Sequence, residues 1–242
     1  MTFDTVLGQA RAIRMLQRML EKDRVPHALL FTGIDGIGRQ ATAKTLAMAL
    51  NCLDPEGQNP CNRCRSCRKM ASGNHPDLVI VNPAGVFIKI DQIRSLRKHL
   101  TYAPVEGGRR IVIINDAHAL TAEASNALLK TLEEPPKDTH IILTAPETTD
   151  LSATIVSRCQ HVSFRPLSET IIAEVLQNRK ALDRNAAQAL AVLAKGSLGK
   201  ALTMDGDTWT ARRDGLMQSL GGLPGASIPS LFAFAEALSR DK

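Results

Sequence analysis

His27-Ala28-Leu29-Leu30-Phe31 is a short apolar run that stops at Thr32-Gly33, with glycines at 33, 36 and 38 and a helical pattern from Arg39 to about Leu53 behind it. A buried strand, a glycine-rich loop and a helix in that order open a βαβ-type unit. The strand therefore belongs to a sheet whose next parallel partner needs a crossover. Gly33 to Gln40 also occupies the place of a G-x-x-x-x-G-K-[ST] phosphate loop.

The rest of the chain repeats the alternation. Residues 5–30 read as helix, turn and helix, with Val6, Ala10, Ile13, Leu16 and Leu20 near helical spacing. Residues 54–70 break the pattern with Pro55, Gly57, Pro60 and a run of cysteines, and Leu78–Val81 resumes as a strand. Asp91 reads as the cap of a helix carrying Ile93, Leu96 and Leu100. Ile111 to Ile114 is the continuous apolar run expected of a strand buried on both faces. A helix from about Thr121 to Glu134 stops at Pro135-Pro136, and strands follow at His140–Leu143 and near His161–Phe164. This is α/β order, with a parallel sheet flanked by helices. Beyond Pro166 the strands stop, and Ser168–Leu176, Asp183–Lys195 and Leu198–Thr203 read as three short helices. The expected domains are 1–165, nucleotide-binding-like with the cysteine module at 52–67, then a helical 166–206, then a partial helical segment, 207–242.

Hydrophobic residues at 44% and charged residues at 22% exclude a disordered chain. No apolar run approaches the roughly 18 residues of a membrane span. Met1-Thr2-Phe3-Asp4 lacks the layout of a secretory signal. A soluble, cytoplasmic protein is expected. The net charge of +6 suits contact with nucleic acid or an acidic partner, and equally a solvated basic surface. Aromatics at 3% speak against a base-stacking platform.

The loop keeps its glycines and loses its chemistry. A working loop uses Lys on the β and γ oxygens and a Ser or Thr hydroxyl on Mg²⁺. Here Arg39 brings a planar fork in place of an ammonium, and Gln40 a neutral amide in place of the hydroxyl. After Ile114, where an Asp-Glu pair would support Mg²⁺ and orient water, the chain has Asn115-Asp116. Phosphoryl transfer rests on positioning and electrostatics, so efficient hydrolysis is not expected. Gly33, Gly36 and Gly38 still leave two readings open: a backbone nest for ATP or ADP phosphates, or a tight turn without ligand.

Cys52, Cys61, Cys64 and Cys67 form C-x8-C-x2-C-x2-C. That spacing suits a closed tetrahedral Zn²⁺ site, structural in role. Iron–sulfur ligation uses other spacings, and a reducing compartment disfavours disulfides. Cys159 reads as a packed residue and His75 as a loop residue.

Thr121 to Pro136, with Asn126-Ala127-Leu128-Leu129-Lys130-Thr131-Leu132-Glu133-Glu134 at its centre, resembles the helix after the second nucleotide motif of bacterial clamp-loader subunits. Ser157-Arg158-Cys159 resembles their Ser-Arg-Cys motif, and Val6-Leu7-Gly8-Gln9 and the four-cysteine insertion are similar as well. The resemblance covers about residues 1–205. It implies an AAA+ module with a zinc insertion, a helical lid and the start of a collar domain, for which 207–242 is short enough to imply a truncated chain. Motor subunits (gamma/tau-like) of this family keep Gly-Lys-Thr, Asp-Glu, a polar sensor residue and a lid arginine. At those places this chain has Gly38-Arg39-Gln40, Asn115-Asp116, Ala145-Pro146 and Gly199. The departures resemble the non-hydrolysing, delta-prime-like kind of subunit.

On that resemblance, Arg158 is a finger reaching a neighbour's ATP; from spacing alone it would be a surface ion pair. The implied partners are the motor subunits, a delta-like clamp-opening subunit and, through the assembly, the sliding clamp and primer-template DNA. No membrane is implied. Two other readings compete: a motor subunit using Arg39 in place of Lys, and a zinc-dependent nucleic-acid-binding module.

Overall fold

The computed structural model describes residues 1–106, 108–204, 217 and 221. The elements in chain order are α1 Ala10–Glu21, β1 Ala28–Thr32, α2 Arg39–Leu50, α3 Arg65–Ala71, β2 Leu78–Val81, α4 Ile90–Leu100, β3 Arg110–Ile114 and α5 Ala122–Glu133. After them come β4 Thr139–Ala145, α6 Ala153–Val156, β5 Gln160–Ser163, α7 Glu169–Lys180, α8 Arg184–Leu193 and α9 Leu198–Thr203. The five strands form one parallel sheet in the order β2-β3-β4-β1-β5. The expected α/β class is what the fold shows.

Alternation along the strands divides the core. Leu29, Phe31, Ile111, Ile113, Ile142 and Val162 face the layer of α1, α2 and α3, which is continuous with α7–α9. Leu30, Val112, Ile114, Ile141 and Leu143 face α4, α5 and α6. Every residue of β1 and β3 is buried, because both faces of the sheet are covered.

Several boundaries move for local reasons. Residues 5–30 hold one α-helix, not two. Gly8 at φ 69° breaks the chain before α1, and Asp23 at φ 47° follows it. Asp91 is not the cap of α4. The cap is Lys89, two residues earlier, Gln92 Oε1 accepts the Lys89 N–H at 3.0 Å, and Asp91 lies in the first turn, where its charge suits the helix dipole. Helices α3 and α6 were not anticipated, and α7 runs on past Leu176 to Lys180. The expected segment 207–242 lies outside the described residues, apart from 217 and 221.

One buried ion pair ties the β2 side of the sheet to the loop after α4. Arg110 is 1% exposed and Asp77 0%, with Nη2 and Oδ1 3.3 Å apart. Nη1 donates to the carbonyls of His99 and Tyr102, and Nη2 to that of Ala103. The Asp77 carboxylate accepts the N–H groups of Val105 (2.7 Å) and Glu106 (2.9 Å). Burial works against the Asp77 charge, but those two N–H groups and Arg110 outweigh it and hold its carboxyl below the usual range.

Candidate functional site

The glycine loop leaves β1 and enters α2 through Gly38, whose φ of 104° an L side chain rarely adopts. A cavity of about 310 Å³ opens there, lined by Asp35, Gly36, Gly38, Arg39, Gln40, Ala41 and Asp116. The structure thus brings together most of the residues singled out in the two nucleotide motifs. Gly33, at the loop's first turn, and Asn115 do not line the cavity.

Arg39 is 5% exposed and pairs with Asp35, and its Nη1 has no partner among the described residues. Burial depresses its basicity, opposed by Asp35 and Asp116. Gln40 is exposed. Asn115 turns towards β2, where its Nδ2 donates to Asn82 Oδ1 at 2.8 Å. Asp116 takes its place at the cavity in a left-handed conformation, φ 51°, its N–H bonded to Thr144 Oγ1. The start of a twelve-residue helix with an unpartnered guanidinium N–H fits an anionic group such as a phosphate. With an amide at 40 and Asn115 turned away, the lining offers no hydroxyl–carboxylate pair for Mg²⁺.

Two residues outside the two nucleotide motifs hold this loop. Ser197, at the cap of α9, donates its hydroxyl to Asp35 O at 2.6 Å, and Gly199 N–H donates to Gly36 O at 2.9 Å. The approach is so close that a Cβ on Gly199 would lie 2.7 Å from Gly36 Cα. Gln9 is the second residue. It is 3% exposed, donates to Arg165 O (2.7 Å) and Ile37 O (3.4 Å), and accepts the Arg165 N–H. Gln9 belongs to the Val6-Leu7-Gly8-Gln9 stretch of the resemblance, which did not assign it this role. Ser197 had no local signal, because its partner lies 162 residues away.

The four cysteines converge. Their sulfurs all lie within 4.8 Å of one another, Cys52 and Cys67 being 3.6 Å apart. Sulfurs each 2.3 Å from a tetrahedral ion stand about 3.8 Å apart, so the set can hold a metal ion. Backbone N–H groups of Cys61, Cys64 and Cys67 each donate at 3.3 Å to the sulfur of the preceding cysteine of the set. Cys64 Sγ thereby caps α3. Burial opposes ionisation of Cys64, yet N–H groups of Cys67 and Leu53 and the adjoining thiols outweigh it and bring it down to about 6. Burial pushes the Cys67 thiol up. Cys159 stands apart in the other core layer, its thiol pushed up to about 12 by burial. His75 is a loop residue, but a buried one, accepting the Asp77 N–H on Nδ1.

Arg158 sits in the turn between α6 and β5, away from the glycine cavity. Its Nη2 meets Glu133 Oε1 at 2.6 Å and its Nη1 donates to Thr154 O at 2.9 Å. The guanidinium is half-buried and held at the surface by one carboxylate, one carbonyl and, at 3.4 Å, the Ser157 hydroxyl.

Against known proteins, the profile of the family described as "DNA polymerase III, delta subunit" matches residues 8–168. The DNA polymerase III subunit delta' of Bacillus subtilis is 42% identical over 168 residues, which is 69% of this chain and 51% of that protein. The DNA polymerase III subunit tau of Escherichia coli is 35% identical over 208 residues, 84% of this chain and 32% of that one. The chain thus spans about half or less of the length of these relatives. Among solved structures, a Thermotoga maritima RuvB variant superposes with a TM-score of 0.56 at 15% identity, covering 83% of this chain and 61% of that one, a likeness of fold. With the profile spanning all five strands and the delta' relative at the higher identity, this chain belongs to the DNA polymerase III delta-subunit family, on its delta-prime side.

Proposed function

We propose that the chain serves as a non-hydrolysing subunit of the DNA polymerase III clamp loader, helping to load the sliding clamp on primed DNA. One observation carries this reading. The cavity at the glycine loop keeps an anion cradle, while Arg39 is drawn into a pair with Asp35, position 40 is an amide, and Asn115 faces away. Bound ATP or ADP would place phosphates on the loop's backbone and Arg39, with nothing at position 40 or 115 to fix Mg²⁺. Residues 1–165 then act as an AAA+ module and 166–206 as its lid, with gamma/tau-like motor subunits and a delta-like clamp-opening subunit as neighbours. Arg158 is the group offered to a neighbour's ATP. The clamp and primer-template DNA are met through the assembly.

The reading is tested by Mg-dependent ATP hydrolysis with the purified chain, using an Arg39→Ala/Asp116→Ala variant as control for contaminants. Turnover equal to that control is expected. Robust turnover that vanishes in the variant would mean a motor subunit that uses Arg39 in place of Lys.

The metal held by Cys52, Cys61, Cys64 and Cys67 is, on this reading, zinc in a structural role. The donor set is all sulfur and closed, with no open position for substrate. Mass spectrometry of the native chain is expected to give one zinc per molecule, and Cys61→Ser/Cys64→Ser none. Stripping the metal should expose 52–71 to protease while the sheet's far-UV dichroism persists, because β1, β3 and β4 bury their cores without it. Protection of 52–71 after complete zinc removal would overturn the structural role.

A further inference from the structure

We infer that α1 carries a docking surface for the phosphate backbone of duplex DNA, independent of the glycine cavity and of Arg158. Arg11, Arg14, Arg18 and Lys22 are all exposed and recur every three or four residues. They fall on one helix face, a line of about 16 Å at 1.5 Å per residue. Arg24 prolongs it beyond the helix end. Together they border a groove of about 650 Å³ floored by Met15 and Met19, which are half-buried.

The charges are unrelieved. None of the five cations enters an ion pair among the described residues, and the nearest Asp, Asp23, is taken by Arg109. Glu21 is the one acid within α1. Like charges at i, i+4 destabilise a helix by a few tenths of a kcal/mol each, so the row opposes its own helix until a polyanion meets it. A duplex supplies one negative charge per roughly 1.7 Å of axis, a continuous line to match a continuous row. Four of the five cations are guanidinium groups, which bind phosphate oxygens in pairs. The groove holds no aromatic side chain for base stacking, so contact is with the backbone and is independent of sequence. The row lies in the α1–α2–α3 layer, whereas α6, which leads into Arg158, belongs to the opposite layer. A duplex on α1 and a protein neighbour at Arg158 therefore do not compete.

The test is fluorescence anisotropy of the full chain with a labelled duplex of about 25 base pairs between 50 and 200 mM NaCl. Neutralising about four phosphates gives a slope of log K against log[salt] near −3.6, or a loss of roughly 10²-fold across that range. Arg14→Ala/Arg18→Ala should flatten the slope by about 2. Arg63→Ala/Arg94→Ala, which removes the same charge elsewhere, should leave it unchanged. Circular dichroism confirms that both variants fold. No binding at 50 mM, or equal slopes for the two double variants, would overturn the assignment. So would displacement by polyglutamate as effective, charge for charge, as unlabelled duplex, which would point to an acidic protein.

Discussion

In the reconstituted loader, Arg158→Ala is expected to slow ATP turnover at the neighbouring site by about 10³–10⁵-fold. The same substitution should leave this chain's own stability within about 1 kcal/mol of the parent, because an exposed ion pair contributes about 0–1 kcal/mol. A guanidinium placed against a γ-phosphate stabilises charge that grows only in the transition state, so its removal acts on rate. Its present partners are weak enough to leave. Glu133 and Thr154 O hold it at a half-exposed surface, and in the proposed role a neighbour's phosphate would compete for the same N–H groups. Arg158→Lys should recover little, since a point ammonium does not reproduce the fork. Glu133→Gln separates the two roles: it removes the ion pair, keeps the guanidinium, and should leave turnover high. Steady-state phosphate release by the assembly is the measurement. Turnover within a few-fold of wild type in Arg158→Ala would reduce this residue to a surface ion pair.

Asp77→Ala is expected to cost about 3–5 kcal/mol, the scale of breaking a buried pair by removing one partner. Arg110 would then carry an uncompensated charge at 1% exposure, and the N–H groups of Val105 and Glu106 would lose their acceptor. Equilibrium urea unfolding at pH 7 reads the loss, and a change under about 1 kcal/mol would show that the pair is not what holds this loop. Because the Asp77 carboxyl is held below its usual range, its contribution is fully present above the unfolded-state value. It fades only as the pH falls through the lower folded value. Between pH 5 and 8 this pair should therefore contribute nothing to any pH dependence of stability.

Sheet and glycine loop were legible because they depend on local sequence. Apolar runs at 28–31 and 111–114 and a glycine spacing of known use read almost directly into β1, β3 and the start of α2. The cysteine cluster was legible by spacing. Helix α3 was not, because its cap is a sulfur, Cys64 Sγ, amid prolines and glycines that read as loop. The turn of Asn115 towards Asn82 was hidden for another reason: a sequence names the residue at a strand's end, not the way its side chain leaves it. Asp77 and Arg110 belong to no motif, and only folding shows that each offsets the other's burial. Ser197 and Gln9 bind carbonyls far along the chain, where no local pattern reports them.

Where α9 meets the glycine loop, Gly36 and Gly199 touch backbone to backbone, flanked by the Ser197–Asp35 and Gly199–Gly36 hydrogen bonds. No side chain stands between them to bend or change rotamer. A contact of that kind behaves as a detent: small displacements strain both hydrogen bonds together, and a larger one loses both at once. Moving the segment that carries α9 away from the loop would therefore break the Ser197–Asp35 and Gly199–Gly36 hydrogen bonds together.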